Sequence, residues 1–117
     1  MRSPKTVDRV RAELGSRRAD LLFIDGDHSF EGVTSDLRMY ADFVAPRGFI
    51  VFHDIIGNPA YPEYGVHVLW ARIRQEFPQA IEIVYPGPCE GFGIGILQKP
   101  DETCFSLFLD RLQSSTC

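Results

Sequence analysis

The chain has 117 residues and a formal net charge of -4, with 44% hydrophobic and 24% charged residues. These values are typical of one globular domain and exclude an intrinsically disordered chain. They also argue against a nucleic-acid partner, since no basic stripe can neutralise phosphates, and no apolar run approaches the roughly 20 residues of a membrane span. Three cysteines without metal-ligand spacing, and a polar start unlike a signal peptide, favour reduced thiols in a cytoplasmic protein.

Apolar periodicity and turn residues predict helices and strands that alternate along the chain. Four segments with apolar residues at helical spacing are predicted helices: 5–14 (closed by Gly15), 30–44, 66–77 and 105–112. Four short apolar runs bounded by turn residues are predicted strands: 19–25, 48–53, 80–85 and 92–98.

This order of elements favours an α/β fold. Alternating units imply parallel strands joined by right-handed crossovers. The last two strands are separated by about half a dozen residues without a helix, so we expect them to be antiparallel neighbours. The glycines at 91–95 enter a strand and lead to no helix, which predicts close packing or a bulge instead of a cofactor loop.

Titratable residues follow two of the predicted strands. The first strand stops at Asp25-Gly26-Asp27-His28, and the second ends in His53-Asp54. Ligands of open α/β sheets bind beyond the carboxyl ends of the strands, so these side chains are expected to form one site.

Each of these residues also has a structural interpretation. Asp25 could cap the turn after the strand, and Asp27 could be the N-cap of the following helix. His28 could donate a hydrogen bond to a loop carbonyl. His53 and Asp54 could form a structural imidazole–carboxylate pair.

Two segments carry a family resemblance. Residues 24–30 (IDGDHSF) resemble the IDGDHSY block of a small-molecule O-methyltransferase-like group of class I S-adenosylmethionine-dependent methyltransferases. Residues 46–54 (PRGFIVFHD) resemble the PGG-x-x-x-x-HD stretch of that group, with Arg47 in place of the usual glycine.

The resemblance implies a Rossmann-like half-domain. The strands correspond to the fourth to seventh of a seven-stranded sheet, with three parallel strands, the last strand antiparallel, and flanking helices. Their expected spatial order is first, second, fourth, third. Residues 1–117 then form one partial domain that lacks the N-terminal cofactor-binding half. The chain would be a fragment of a longer enzyme, complete its site with a partner chain, or be a stand-alone binding module.

The resemblance also implies a metal site. Asp25, His53 and Asp54 occupy the positions of the divalent-metal ligands of metal-dependent relatives. His53 replaces a carboxylate, which makes the site softer, so Mn, Fe or Zn would fit as well as Mg. Mg or Mn is the expected metal if one binds, and Asp27 is the alternative to His53 as the third ligand. The opposite alternative is that no metal binds.

Cofactor and catalytic roles follow from the same resemblance. S-adenosylmethionine is the expected cofactor, with Asp25, Gly26, Asp27 and His28 as cofactor-binding residues. His28 lies where relatives carry a catalytic lysine, and a histidine there is expected to act as general base.

The expected activity is O-methylation of a small hydroxylated substrate. The competing function is a non-catalytic binding or oligomerising module. A homodimer is expected, with residues 19–24 and the apolar face of helix 5–14 in its interface, because the first strand would be an apolar edge. The other expected partner is a chain that supplies the missing half.

Overall fold

The computed structural model describes residues 4–24, 29–56, 65–84 and 93–114. The helices and strands found in these residues follow in chain order: α1 Pro4–Leu14, β1 Ala19–Ile24, α2 Phe30–Tyr40, a 3₁₀ turn Ala41–Phe43, β2 Val44–His53, α3 Val66–Glu76, β3 Ile81–Ile83, β4 Ile94–Gln98 and α4 Glu102–Ser114. None of the described helices is long and apolar enough to cross a membrane.

The four strands form one mixed sheet in the order β1-β2-β4-β3. This confirms the predicted α/β class, the predicted strand order and the flanking helices. β1 pairs with β2 in parallel, whereas β4 is antiparallel to both β2 and β3. β3 therefore runs in the same direction as β1 and β2, as expected, but forms no parallel ladder, because β4 separates it from β2.

The predicted helix 30–44 is too long. α2 ends at Tyr40, a 3₁₀ turn follows, and Val44 already belongs to β2. Val44 pairs with Ala19 of β1, so its backbone is extended. Its side chain is nevertheless fully buried in the core, which explains why it fitted the apolar stripe of a helix.

A bulge interrupts the start of β2. The register with β1 jumps from Ala19–Val44 to Leu21–Phe49, so β2 has three more residues in this interval than β1. The segment between the predicted helix 30–44 and the predicted strand 48–53 is this bulge inside a longer strand, and not a connection that precedes the strand.

α4 begins three residues before the predicted helix 105–112. Asp101 provides the reason, because its carboxylate Oδ1 accepts the backbone N–H of Thr103 at 3.0 Å and of Cys104 at 3.4 Å. At the other end of the chain, Gly15 closes α1 as predicted, with φ of 60° and its N–H donated to the carbonyl of Arg11.

One face of the sheet carries the core. The buried side chains of α2, α3 and α4 pack with those of the central strands. Gly95 of β4 allows the Trp70 ring of α3 to lie on the sheet, since a Cβ at that position would be 2.6 Å from ring atoms. This confirms the close packing predicted for the glycine-rich strand.

The opposite face, here called the outer face, contributes no residue to the described core. Its members follow from the strand register and from the alternation of burial along each strand: Leu21, Phe23, Phe49, Val51, His53, Ile81, Ile83, Ile94, Ile96 and Gln98.

Candidate functional site

The carboxyl ends of β1 and β2 lie side by side. Ile24, the last residue of β1, pairs with Phe52, so His53, the last residue of β2, and Asp54, which follows it, stand at this edge. The predicted site residues that follow β1 lie outside the described residues: Asp25, Gly26, Asp27 and His28. Of the predicted site, the structure therefore describes the two residues contributed by the second strand.

His53 and Asp54 form a close pair. The imidazole Nδ1 lies 3.1 Å from the carboxylate Oδ2, within ion-pairing distance but outside hydrogen-bond geometry. The side chains are 30% and 15% exposed, so both can be reached by a small molecule. The Phe23 ring of β1 lies 6.4 Å from the imidazole, centroid to centroid.

The backbone of Asp54 is unusual. Its φ of 63° is left-handed, a conformation that costs about 1–2 kcal/mol for a residue other than glycine. Its N–H donates to the carbonyl of Gly93 at 3.0 Å. Gly93 has φ of 138°, and a Cβ there would lie 3.0 Å from Ile56 and 3.1 Å from Ile55. Gly93, the residue before β4, thus holds the left-handed backbone of Asp54 in place.

Sequence reasoning did not assign this anchoring role to Gly93. The signal was present, since Gly93 lies in the glycine run at 91–95, but the run was interpreted only as close packing or a bulge. The contact joins residues far apart in the chain, so no local pattern identifies Asp54 as the partner of Gly93.

The helix that follows β1 is capped by Ser29. Its Oγ accepts the backbone N–H of Gly32 at 3.0 Å. The interpretation of Asp27 as the N-cap is therefore wrong, because Ser29 occupies the position directly before α2. Gly65, which precedes α3, lies against the same helix end, where an added Cβ would be 2.6 Å from the nitrogen of Phe30.

The described residues do not support a metal site. They contain no group of three or more His, Cys, Asp or Glu side chains that could hold a metal ion. His53 and Asp54 provide two donors, and the third predicted ligand, Asp25, lies outside the described residues. We therefore derive no chemical step through a metal.

Comparison with known proteins finds one family model that matches part of the chain. Residues 2–55 match a family model described as a methyltransferase domain. This match supports a methyltransferase domain. The matched stretch includes β1, α2 and β2, and ends just after the His53–Asp54 pair. The narrower O-methyltransferase-like group stays a prediction from the sequence motifs.

A shorter match links the chain to a viral protein. An uncharacterized protein, R132, of Acanthamoeba polyphaga mimivirus is 49% identical over 35 residues. The aligned segment covers 30% of this chain and 16% of that protein. The match therefore spans about a sixth of the relative's length.

Proposed function

We propose that this chain carries the acceptor side of an S-adenosylmethionine-dependent methyltransferase that methylates a hydroxyl oxygen of a small substrate. The observation that carries the proposal is the methyltransferase-domain match over residues 2–55, which ends at the His53–Asp54 pair. In the reaction, the substrate oxygen attacks the methyl carbon, the carbon–sulfur bond breaks, and S-adenosylhomocysteine leaves. The hydroxyl proton passes to a base on the protein.

We propose separate roles for the polar residues at this edge. His28 is the proposed general base, on the sequence resemblance. The His53–Asp54 pair is proposed to bind the acceptor hydroxyl, because its imidazole and carboxylate are both partly exposed at the strand end. Mg or Mn at Asp25, His53 and Asp54 stays a prediction that this proposal does not need.

The methyl donor is proposed to bind mainly outside the described residues. Before β1 these comprise a single helix, α1, and the glycine-rich strand–turn–helix that holds such a cofactor is not among residues 4–24. Asp25, Gly26, Asp27 and His28 remain the proposed cofactor contacts of this chain. The cytoplasmic location expected from the cysteines is part of the same proposal.

A titration with catechol, the simplest vicinal diol of an aromatic ring, tests the acceptor side. In the ¹⁵N-labelled chain, we expect saturable shift changes at His53, Asp54 and Phe23 with millimolar affinity, as suits a half-site that lacks most of the donor contacts. The His53→Asn variant should weaken binding about tenfold, since it removes a polar contact beside a charge. The matched control is His67→Asn, on α3, which should bind catechol as the wild type does.

The competing function, a non-catalytic binding or oligomerising module, is favoured by the exposed apolar outer face. It predicts no saturable shifts around His53 with catechol. Equal binding by the wild type and His53→Asn would contradict the role proposed for His53, and no binding at all would favour the module.

A further inference from the structure

A cleft opens at the edge of the sheet opposite the candidate site. It has a volume of about 470 Å³ and is lined by residues of α1, the turn after it, the 3₁₀ turn and the start of α4. Arg18 directly precedes β1 and Phe43 directly precedes β2, so the cleft lies at the amino ends of the two parallel strands. The candidate site lies at their carboxyl ends. Sites for small molecules usually have volumes of about 300–1,000 Å³, so the cleft is large enough for one.

Charged residues predominate in the lining of the cleft. Three arginines and two carboxylates contribute to it, and all five residues are exposed: Arg11, Arg17, Arg18, Asp42 and Glu102. The carboxylate of Glu102 lies 3.0 Å from Nζ of Lys99, which balances its charge. The three arginines therefore outweigh the carboxylate of Asp42, and the cleft is positively charged.

The end of α1 holds the side chain of Arg17. Its Nη2 donates to the carbonyl of Glu13 at 2.8 Å, and its Nε donates to the carbonyl of Leu14 at 3.2 Å. These bonds satisfy two of the carbonyl groups that a helix leaves without a partner at its C-terminus. A guanidinium has five N–H groups, so three of those of Arg17 remain for a ligand.

A contact with an aromatic ring holds Arg11. The central carbon of its guanidinium lies 5.2 Å from the centroid of the Phe43 ring, and Phe43 is buried. A contact of this kind leaves the N–H groups at the rim of the guanidinium available. Within the described residues, no group accepts a hydrogen bond from the side chain of Arg11 or Arg18. Two of the three guanidinium groups are therefore held in place while most of their N–H groups remain unused.

The distribution of charge along the chain favours an anionic ligand in this cleft. Residues 1–18 contain six basic and two acidic residues, a net charge of +4, whereas residues 19–117 carry a net charge of -8. Three of the six basic residues line the cleft. A local excess of positive charge on an otherwise negative molecule raises the concentration of small anions at that place.

We propose that the cleft binds a small molecule through a phosphate monoester group. Such a group carries a charge of about -1.5 to -2 at pH 7 and has three acceptor oxygens, so it matches the guanidinium groups of Arg11, Arg17 and Arg18. Because two of these groups are already held in place, binding costs less side-chain entropy than it would with freely moving arginines. Asp42 lines the same cleft, and its carboxylate lowers the affinity for phosphate. The inference does not depend on the proposed methyltransferase function.

Titration of the ¹⁵N-labelled chain with inorganic phosphate at constant ionic strength tests the proposal. We expect saturable shift changes at Gly15 and Ser16, which line the cleft, with a dissociation constant of about 1 mM. Arg11→Gln and Arg18→Gln should each weaken binding about fivefold, because each removes a charge-assisted hydrogen bond at an exposed position. The matched control is Arg9→Gln, which makes the same charge change on α1 outside the cleft and should bind phosphate as the wild type does.

A fourth variant and a second anion provide independent checks. Asp42→Asn should tighten phosphate binding about threefold, since it removes a negative charge from the cleft. Acetate should bind at least about tenfold more weakly than phosphate, because it has a single charge and two acceptor oxygens. Acetate that binds as tightly as phosphate would contradict the proposed class of ligand.

Other outcomes would overturn the proposal. The absence of saturable shift changes up to about 50 mM phosphate would do so. Equal weakening by Arg9→Gln would show a diffuse effect of net charge in place of a site, and unchanged binding in both Arg11→Gln and Arg18→Gln would exclude these arginines as ligands of the phosphate. Circular dichroism should show that the variants are folded. If Arg11→Gln does not fold, the comparison of Arg18→Gln with Arg9→Gln decides.

Discussion

At the scale of single residues, Arg47 stands out because its backbone conformation does not suit its side chain. Its φ is 67°, the left-handed region that glycine adopts without penalty, and it lies in the bulge of β2. The resembling methyltransferase stretch has glycine at this position, and the structure supplies the physical reason. The contact made by Arg47 here uses its backbone carbonyl, which accepts from Nε2 of Gln98 at 3.0 Å.

We predict that Arg47→Gly stabilises the fold. The change removes a left-handed penalty of about 1–2 kcal/mol and adds about 0.5–1 kcal/mol of backbone entropy to the unfolded chain. The free energy of unfolding in urea should rise by about 0.5–1 kcal/mol. Arg18→Gly is the control, since Arg18 is exposed and has no positive φ, and it should lower stability slightly. A loss of stability in Arg47→Gly would show that the guanidinium contributes more than the strain costs.

At the scale of elements, Lys99 holds the bulge of β2 in place from the end of β4. Its backbone N–H donates to the carbonyl of Gly48 at 2.7 Å, and its Nζ donates to the carbonyl of Val44 at 2.9 Å. The side chain is 1% exposed, and its charge is balanced by Glu102 at 3.0 Å. One residue therefore fixes both sides of the interruption that separates the start of β2 from the rest of the strand.

We predict that substitutions of the two members of this ion pair lower the free energy of unfolding by different amounts. Lys99→Met should lower the free energy of unfolding by about 2–4 kcal/mol, because a buried carbonyl and a carboxylate lose their donor. Glu102→Gln should cost less, because the glutamine Oε1 can still accept a hydrogen bond from Nζ, although the buried ammonium loses its counter-charge. Urea unfolding of both variants provides the measurement. If the two variants lose similar free energy of unfolding, the salt bridge stabilises the bulge, and not the hydrogen bond from Nζ of Lys99 to the carbonyl of Val44.

At the scale of the whole molecule, the fold combines a core on one face of the sheet with an apolar face on the other. Strands that are apolar on both sides are typical of sheets covered on both sides. The helices of the core, α2, α3 and α4, cover one side. This asymmetry fits the half-domain implied by the family resemblance.

Calorimetry with S-adenosylmethionine and S-adenosylhomocysteine tests the half-site. We predict that the chain binds neither more tightly than about 1 mM, because most contacts to the donor are proposed to lie outside it. Micromolar binding of either compound would show that the donor site is present in the chain. That result would refute the half-domain without refuting a methyltransferase, whereas the catechol titration tests the acceptor side separately.

The strand order was implied by the family resemblance. The residues by themselves were enough to predict the kinds of elements and the pair of polar residues at the end of β2. These features depend on local patterns: apolar periodicity, turn glycines such as Gly15, and titratable residues placed directly after an apolar run. The pairing of His53 with Asp54 was anticipated as one of two interpretations for the same reason, since the two residues are neighbours in the chain.

Tertiary structure decided what depends on residues distant in sequence. Val44 is extended because it pairs with Ala19, although its burial imitates a helical stripe. Asp54 keeps a strained backbone because Gly93 accepts its N–H. The outer face stays exposed because the core helices gather on one side of the sheet, which no periodicity within a strand can show. Local patterns determine which surfaces are apolar, and only the packing of distant segments determines which of them are covered.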